Sequence, residues 1–364
     1  MHVLHIVPYL PQASGVTTFV VECSDELQRI GIKQTIVVGD GNRYSVTPSS
    51  SGVQRISVNE GLEHLSVGEF DVLHLHGIWP PFMHAFIAVA VKKSVPIVWS
   101  LHGMLAPWAM RFKWWKKFPV WWLWQKRDLG KAAVLHATTE EEVGWIRRRR
   151  LKSRVEVIPL GTRMPTATSL WNEGACSQEK ILLFVGRINP VKALDNLLKA
   201  WGLVKSYRGS HAWHLRIIGT DEGGYQQPLE QLAASLHLGR TVTFAGAKYN
   251  EQLEDEYRHA YGLILPSHTE NFGGVVIDAL ARGVPVIASD KTPWESIARN
   301  DCGWWVDNAP RKLADAIIGL MTLTDDERRA MGEKGRHFIA ERYTWQVVAR
   351  AMKGVYESVF QSKV

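Results

Sequence analysis

Short apolar, β-branched runs alternate with longer amphipathic stretches from the first residue to about residue 310. That alternation is the pattern of βα units feeding a parallel sheet. It predicts strands over residues 3–7, 34–39, 72–76, 97–101, 133–137 and 155–159, with helices between them. A polar stretch over residues 162–178 reads as a linker. The pattern restarts at 181–185 and continues with strands at 215–218, 242–245, 263–265 and 284–288 and helices such as 194–207. Beyond residue 325 the chain reads as almost wholly helical, with segments predicted over 314–323, 325–341 and 345–360. The expected architecture is α/β, with two Rossmann-like domains, residues 1–162 and 163–344. In open parallel sheets ligands bind outside the carboxyl ends of the strands, so residues that follow strands carry the functional weight.

Composition sharpens this outline. A chain of 364 residues is too long for one ordinary core and suits two domains. Hydrophobic residues make up 46% and charged ones 22%, as in a soluble globular protein, and no apolar stretch reaches the roughly 20 residues of a spanning helix. The nearest, residues 77–91, contains Pro80, Pro81 and His84. The segment Met1 to Val7 reads as a strand and not as a signal peptide, which predicts a cytoplasmic location. Cys23, Cys176 and Cys302 lack metal-ligand spacing and read as buried thiols in a reducing compartment. The net charge of +7 is localised: residues 92–154 hold 15 Lys or Arg against four acids, a local +11, leaving −4 elsewhere. One face that meets an anionic surface fits this better than general polyanion binding.

Two constellations follow predicted strands in the second half. In Val185-Gly186-Arg187-Ile188-Asn189-Pro190-Val191-Lys192, two cations flank a turn at a helix start, a combination suited to a diphosphate. In Pro266-Ser267-His268-Thr269-Glu270-Asn271-Phe272-Gly273-Gly274, an acid in a loop is followed by successive backbone N–H groups where a helix begins, and Asp278 lies two turns inside that helix. These motifs, in this order and separation, resemble those of the family-4 retaining glycosyltransferases of the GT-B fold, and the resemblance covers nearly the whole chain.

The resemblance implies a nucleotide-sugar donor, a UDP- or GDP-sugar, with Gly186, Arg187 and Lys192 at its diphosphate. Glu270 then lies by the transferred sugar and Asp278, in place of the usual Glu, at the ribose. Asn271, Phe272, Gly273 and Gly274 would offer backbone donors. In the first domain Ser14-Gly15 resembles the family's glycine-rich loop, and His102, in Ser100-Leu101-His102-Gly103, its sugar-facing histidine. His74 and His76 also end a strand, where a structural role is the alternative to a functional one. Gly219, in Gly219-Thr220-Asp221-Glu222-Gly223-Gly224, is similar to a loop that shapes the nucleotide pocket, and Lys248 closes a segment similar to the one that reads the base. Arg342-Tyr343-Thr344-Trp345 resembles the lead-in to a last helix, 345–364, that crosses back to an N-terminal acceptor domain. Ser14, Ala193 and Leu160 depart from the family's usual Gly, Gly and Asn.

The implied reaction retains anomeric configuration. The sequence contains no Asp-x-Asp pair, so neither a metal nor a cofactor is expected, and Arg187, Lys192, Glu270 and His102 are the expected catalytic set, fixed donors holding the leaving charge. Residues 107–127 hold six Trp and six basic residues with no acid. That suits a segment lying on an anionic bilayer through Trp108, Trp114, Trp115, Lys116, Lys117, Trp121, Trp122 and Trp124. It predicts a peripheral enzyme on the inner membrane face that acts on a glycan or lipid-linked acceptor in bacterial surface-polysaccharide assembly. No nucleic-acid partner is expected. A nucleotide-sugar epimerase and an inactive membrane adaptor are the alternatives.

Overall fold

The structure, a computed structural model, describes residues 1–10, 14–39, 53–165, 179–207 and 209–362. It divides into two units, Met1–Gly161 with Trp345–Val364, and Thr162–Thr344. The linker expected over 162–178 and Cys176 fall largely or wholly outside the described residues. Cys23 and Cys302 are buried, and burial pushes the Cys302 thiol up to about 12.

The first unit is built on β1 (His2–Val7), β2 (Lys33–Val38), β3 (Gln54–Ile56), β4 (Val72–His76), β5 (Ile97–Ser100), β6 (Val134–Ala137) and β7 (Arg154–Val157). They form one sheet in the order β3-β2-β1-β4-β5-β6-β7, every pair parallel. The second sheet uses β8 (Lys180–Val185), β9 (Trp213–Ile218), β10 (Val242–Phe244), β11 (Ala260–Leu265), β12 (Val286–Ser289) and β13 (Gly303–Val306) in the order β10-β9-β8-β11-β12-β13, again all parallel. Both orders are doubly wound, and the chain changes direction between β1 and β4 and between β8 and β11, where such sheets open a crevice.

Two strands were not expected. β3 has three residues at a sheet edge, and β13 reads Gly-Trp-Trp-Val with every residue only half buried. Neither shows the buried apolar run that marks the central strands.

Strand alternation divides the first unit's interior. Leu4, Ile6, Leu73, Leu75, Trp99 and Leu135 point into one core. Val3, Val72, Val98 and Val134 point into another, shared with Phe19, Cys23 and Leu27 from the helix Gly15–Arg29. The last helix, Trp345–Gln361, belongs to this second core through Trp345, Met352 and Tyr356. It enters through the close approach of Trp345 to Gly161, where no Cβ fits.

Candidate active site

In the second unit, the loops after β8 and β11 are stitched together. The turn Pro190–Lys192 accepts a hydrogen bond from the His268 backbone at the Val191 carbonyl, 2.8 Å. Asn308 holds the other side, bonding the His268 ring at 2.9 Å and the Pro266 carbonyl at 3.2 Å. This brings Lys192 Nζ to 2.5 Å from Glu270 Oε1, with both side chains mostly buried. Ser267 Oγ donates to the same carboxylate oxygen at 2.7 Å. A carboxylate with two donors already in place is well suited to stabilise nearby positive charge and poorly suited to attack.

Arg187 lies in a different setting. Its guanidinium bonds Glu222 at 3.0 and 3.2 Å, both side chains more than half exposed, and Asn189 donates to the same carboxylate at 2.6 Å. An exposed pair of this kind is worth little and yields to a better anion. Glu222 thus occupies the cation that the sequence assigns to a diphosphate. Gly219 is required by packing: a Cβ there would overlap the Gly186 carbonyl oxygen, so the two loops touch backbone to backbone. Gly273 has φ +79°, and the Trp294 indole N–H donates to the Phe272 carbonyl, fixing the Asn271–Gly274 turn. Trp294 was not foreseen, since its sequence neighbourhood carries no motif.

In the first unit the parallel register sets His5 opposite His74, His76 opposite Ser100 and Ser100 opposite His136. Five polar groups therefore share one sheet face, all essentially buried. One row runs Gln34 Oε1, His5 Nε2 (2.6 Å), then His5 Nδ1, His76 Nε2 (2.9 Å), then His76 Nδ1, His102 Nε2 (3.1 Å). The other runs from Tyr356 OH through His74 (2.6 Å), Ser100 (2.7 Å) and His136 (2.6 Å) to the Ile158 carbonyl (2.7 Å). Burial holds His5 and His136 down to about 4 and His102 to about 3, and burial with mutual repulsion holds His74 and His76 well below the usual value, so the rings are neutral. The nitrogens of His5, His74 and His76 lie close enough for a metal, but each already has a protein partner, so the trio is hydrogen-bonded and not arranged around an ion.

His102 has φ +51°, a left-handed conformation unusual for a side-chain-bearing residue. It is held there by Glu142, whose buried carboxylate accepts from the Gly103 N–H at 2.5 Å and from Thr138 N–H at 2.8 Å. Glu142 was not legible in advance, because one acid in Glu140-Glu141-Glu142 looks like another.

Comparison with known proteins decides the family. The family described as "Glycosyltransferase Family 4" matches residues 13–163, and "Glycosyl transferases group 1" matches residues 168–338. The chain belongs to the family-4 glycosyltransferases. Among its relatives are two D-inositol 3-phosphate glycosyltransferases. That of Corynebacterium urealyticum is 31% identical over 56% of this chain and 49% of its own length, and that of Thermobispora bispora is 28% identical over 81% and 72%. The match spans about half the length of several such relatives. Sucrose-phosphate synthase from Thermosynechococcus elongatus superposes with a TM-score of 0.77 at 20% identity over all of both chains. Anabaena HepE, in complex with UDP and glucose, gives 0.73 at 13% over 98% of this chain and all of that one. The fold is GT-B.

Against the pattern of family-4 glycosyltransferases, three expected residues differ in setting. Asp278 accepts from Thr162 Oγ1 at 2.6 Å and lies 4.0 Å from Arg282, itself clamped by Glu254 at 2.5 to 3.0 Å. Loss of surrounding water raises its carboxyl, against the pull of Arg282. One methylene shorter than Glu, it is bound to the chain segment that opens this unit. Lys248 is paired with the buried Glu256, which also meets Arg216 at 2.8 Å. Gly15 is the first residue of a helix capped by Ser14 Oγ (3.3 Å from Val16 N), and the nearest atom to a Cβ there is Leu160 Cδ1 at 3.8 Å. Ser14, in place of the family's usual glycine, supplies the side-chain acceptor of this N-cap.

The basic aromatic segment forms the short helices Pro107–Arg111, Trp114–Val120, a π-turn over Trp121–Gln125, and Lys126–Leu129. Trp108, Phe112, Trp114, Trp115, Phe118, Trp122 and Leu123 are 45 to 66% exposed. Lys116 is exposed, while Lys117 is half buried and donates to the Ala109 carbonyl at 2.5 Å. Trp124 is half buried beside Pro81, His84, Leu123 and Arg127. Trp121 corrects the expectation: it is only 7% exposed and packs in the core near Trp79, with Arg149 over its ring. The wider π-turn rotates this one indole inward. Among the described residues no helix is long and apolar enough to cross a membrane.

Proposed function

We propose that the chain transfers a hexosyl group, with retention, from a UDP-sugar to a hydroxyl of a membrane-borne glycan or lipid-linked acceptor. The observation that carries this reading is the mostly buried Lys192–Glu270 pair beside the exposed, weakly engaged Arg187. A donor diphosphate takes both cations: Arg187 leaves Glu222 for a doubly charged ligand, and Lys192 bridges from Glu270 to phosphate. As the bond from the anomeric carbon to phosphate oxygen breaks, negative charge grows on the leaving group against fixed donors, without a metal. The acceptor oxygen bonds to the anomeric carbon from the same face and passes its proton to the departing phosphate. Glu270, already holding two hydrogen bonds, orients and stabilises the sugar and is not the nucleophile. UDP and glucose in HepE support the donor class.

The exposed indoles with their interleaved cations support the membrane-borne acceptor and a place on the inner face of the cytoplasmic membrane. The names of the curated relatives favour a second reading, a small polyol phosphate as acceptor. Liposome pelleting separates them. Binding to vesicles with anionic lipid at low salt, lost when Trp114, Trp115 and Trp122 become Ser, is expected; failure to pellet at low salt would overturn the membrane reading. For the chemistry, UDP release from UDP-glucose that requires added acceptor is expected, and interconversion of the sugar nucleotide without acceptor would make the protein an epimerase.

A further inference from the structure

The ten ring nitrogens of His5, His74, His76, His102 and His136 include nine with a protein hydrogen-bond partner. Of these ten, among partners in the described residues, only His102 Nδ1 has none. The two rows also have a direction, because each ends on a backbone carbonyl, which can only accept.

Gln34 Nε2 donates to the Ile32 carbonyl at 3.0 Å. That turns the amide so that Oε1 faces His5, and His5 Nε2 must carry the proton. In a neutral ring His5 Nδ1 is then bare and accepts from His76 Nε2–H, and His76 Nδ1 in turn accepts from His102 Nε2–H. Any reversal places two lone pairs or two protons face to face inside the sheet, leaving buried groups unpaired. The second row is polarised the same way: Tyr356 donates to His74, His74 to Ser100, Ser100 to His136, and His136 to the Ile158 carbonyl. It ties the last helix to the sheet face that carries the first row, so both rows are satisfied by neutral rings in one arrangement.

We propose that Gln34, His5 and His76 form a one-way hydrogen-bond relay that fixes His102 as the Nε2–H tautomer, so that it presents a bare Nδ1 as a hydrogen-bond acceptor. The proposal rests on the reading of His102 as a substrate-facing residue of the transferase. Gln34, His5 and His76 are positioning residues: they touch no substrate and set which atom of His102 does. The left-handed His102–Gly103 turn, pinned by Glu142, aims the ring, and the relay decides its proton. The ligand group that matches a bare imidazole nitrogen is a donating hydroxyl.

The test uses the full chain labelled with 15N in its histidines, with long-range 15N–1H spectra at pH 7.5 and His102 assigned through His102→Asn. A single Nε2–H form of His102 is expected. His76→Gln, whose amide can donate to His5 and accept from His102, should preserve it. His76→Phe, which cannot accept, should let the Nδ1–H form appear and lower UDP-glucose turnover about tenfold, with UDP binding unchanged and His76→Gln restoring the rate. A mixed or Nδ1–H wild-type signal overturns the relay whether or not His76→Phe folds, and leaves the transferase reading standing. An unaltered His102 signal in folded His76→Phe also overturns it. If the tautomer is single but His102→Asn turns over UDP-glucose at the wild-type rate, the substrate-facing half of the proposal falls.

Discussion

The two units share a strand order and place their polar groups differently. In the first, the polar groups lie on the sheet face itself, as neutral imidazoles joined in rows beneath the last helix. In the second, that space is apolar, and the polar groups sit in the loops after β8 and β11 as ion pairs. Neutral groups tolerate burial when every donor has its acceptor, whereas a charge must be paired or left where water or a ligand can reach it. One topology therefore yields an interior that sets proton positions and a rim that can exchange one anion for another.

The largest separation between the units should appear on acidification. His5, His102 and His136 have folded pKa values near 4, 3 and 4, against about 6.5 unfolded. Below pH 6.5 the unfolded chain binds more protons, so stability falls as pH is lowered toward about 4. Between pH 7.5 and 5.5 the three together cost on the order of 4 kcal/mol. Urea unfolding followed by probes in each unit should show the first unit losing stability in this window. Equal loss in both units would break the contrast. Next in size is Gly219→Ala, which forces the β8 and β9 loops apart in the second unit and should cost about 2 to 3 kcal/mol in the same measurement. Smallest is Gly15→Ala, at a helix start with open space around the new methyl, where a change within about 0.5 kcal/mol is expected. A large loss there would mean that the glycine is needed by the fold after all.

Much of this was legible in the sequence, for physical reasons that differ by region. Among the described residues, the nine central parallel strands are buried on both faces and announce themselves as apolar runs, and all were foreseen; of the four half-buried edge strands, β7 and β10 were foreseen and β3 and β13 were not. The loop motifs around Lys192 and Glu270 were legible because each lies within a few residues of its strand. The histidine rows were not, because they depend on register: His74 and Tyr356 are 282 residues apart. Glu222 looked like an acid beside a glycine loop until the structure set it on Arg187. Trp121 was misplaced because composition put all six Trp of the segment on one surface and carries no sign that one indole turns into the core.

The most direct test is thermal unfolding of the full chain at pH 7.5 with and without UDP, UDP-glucose and the corresponding guanosine nucleotides. One of these ligands should raise Tm with the logarithm of its concentration, adding about 2.7 kcal/mol at a hundredfold excess over Kd. Lys192→Ala, which removes the mostly buried cation of the Glu270 pair, should abolish the rise. A wild-type protein that none of them stabilises, or a Lys192→Ala variant stabilised as much as wild type, would contradict the assignment of this pair to the donor diphosphate.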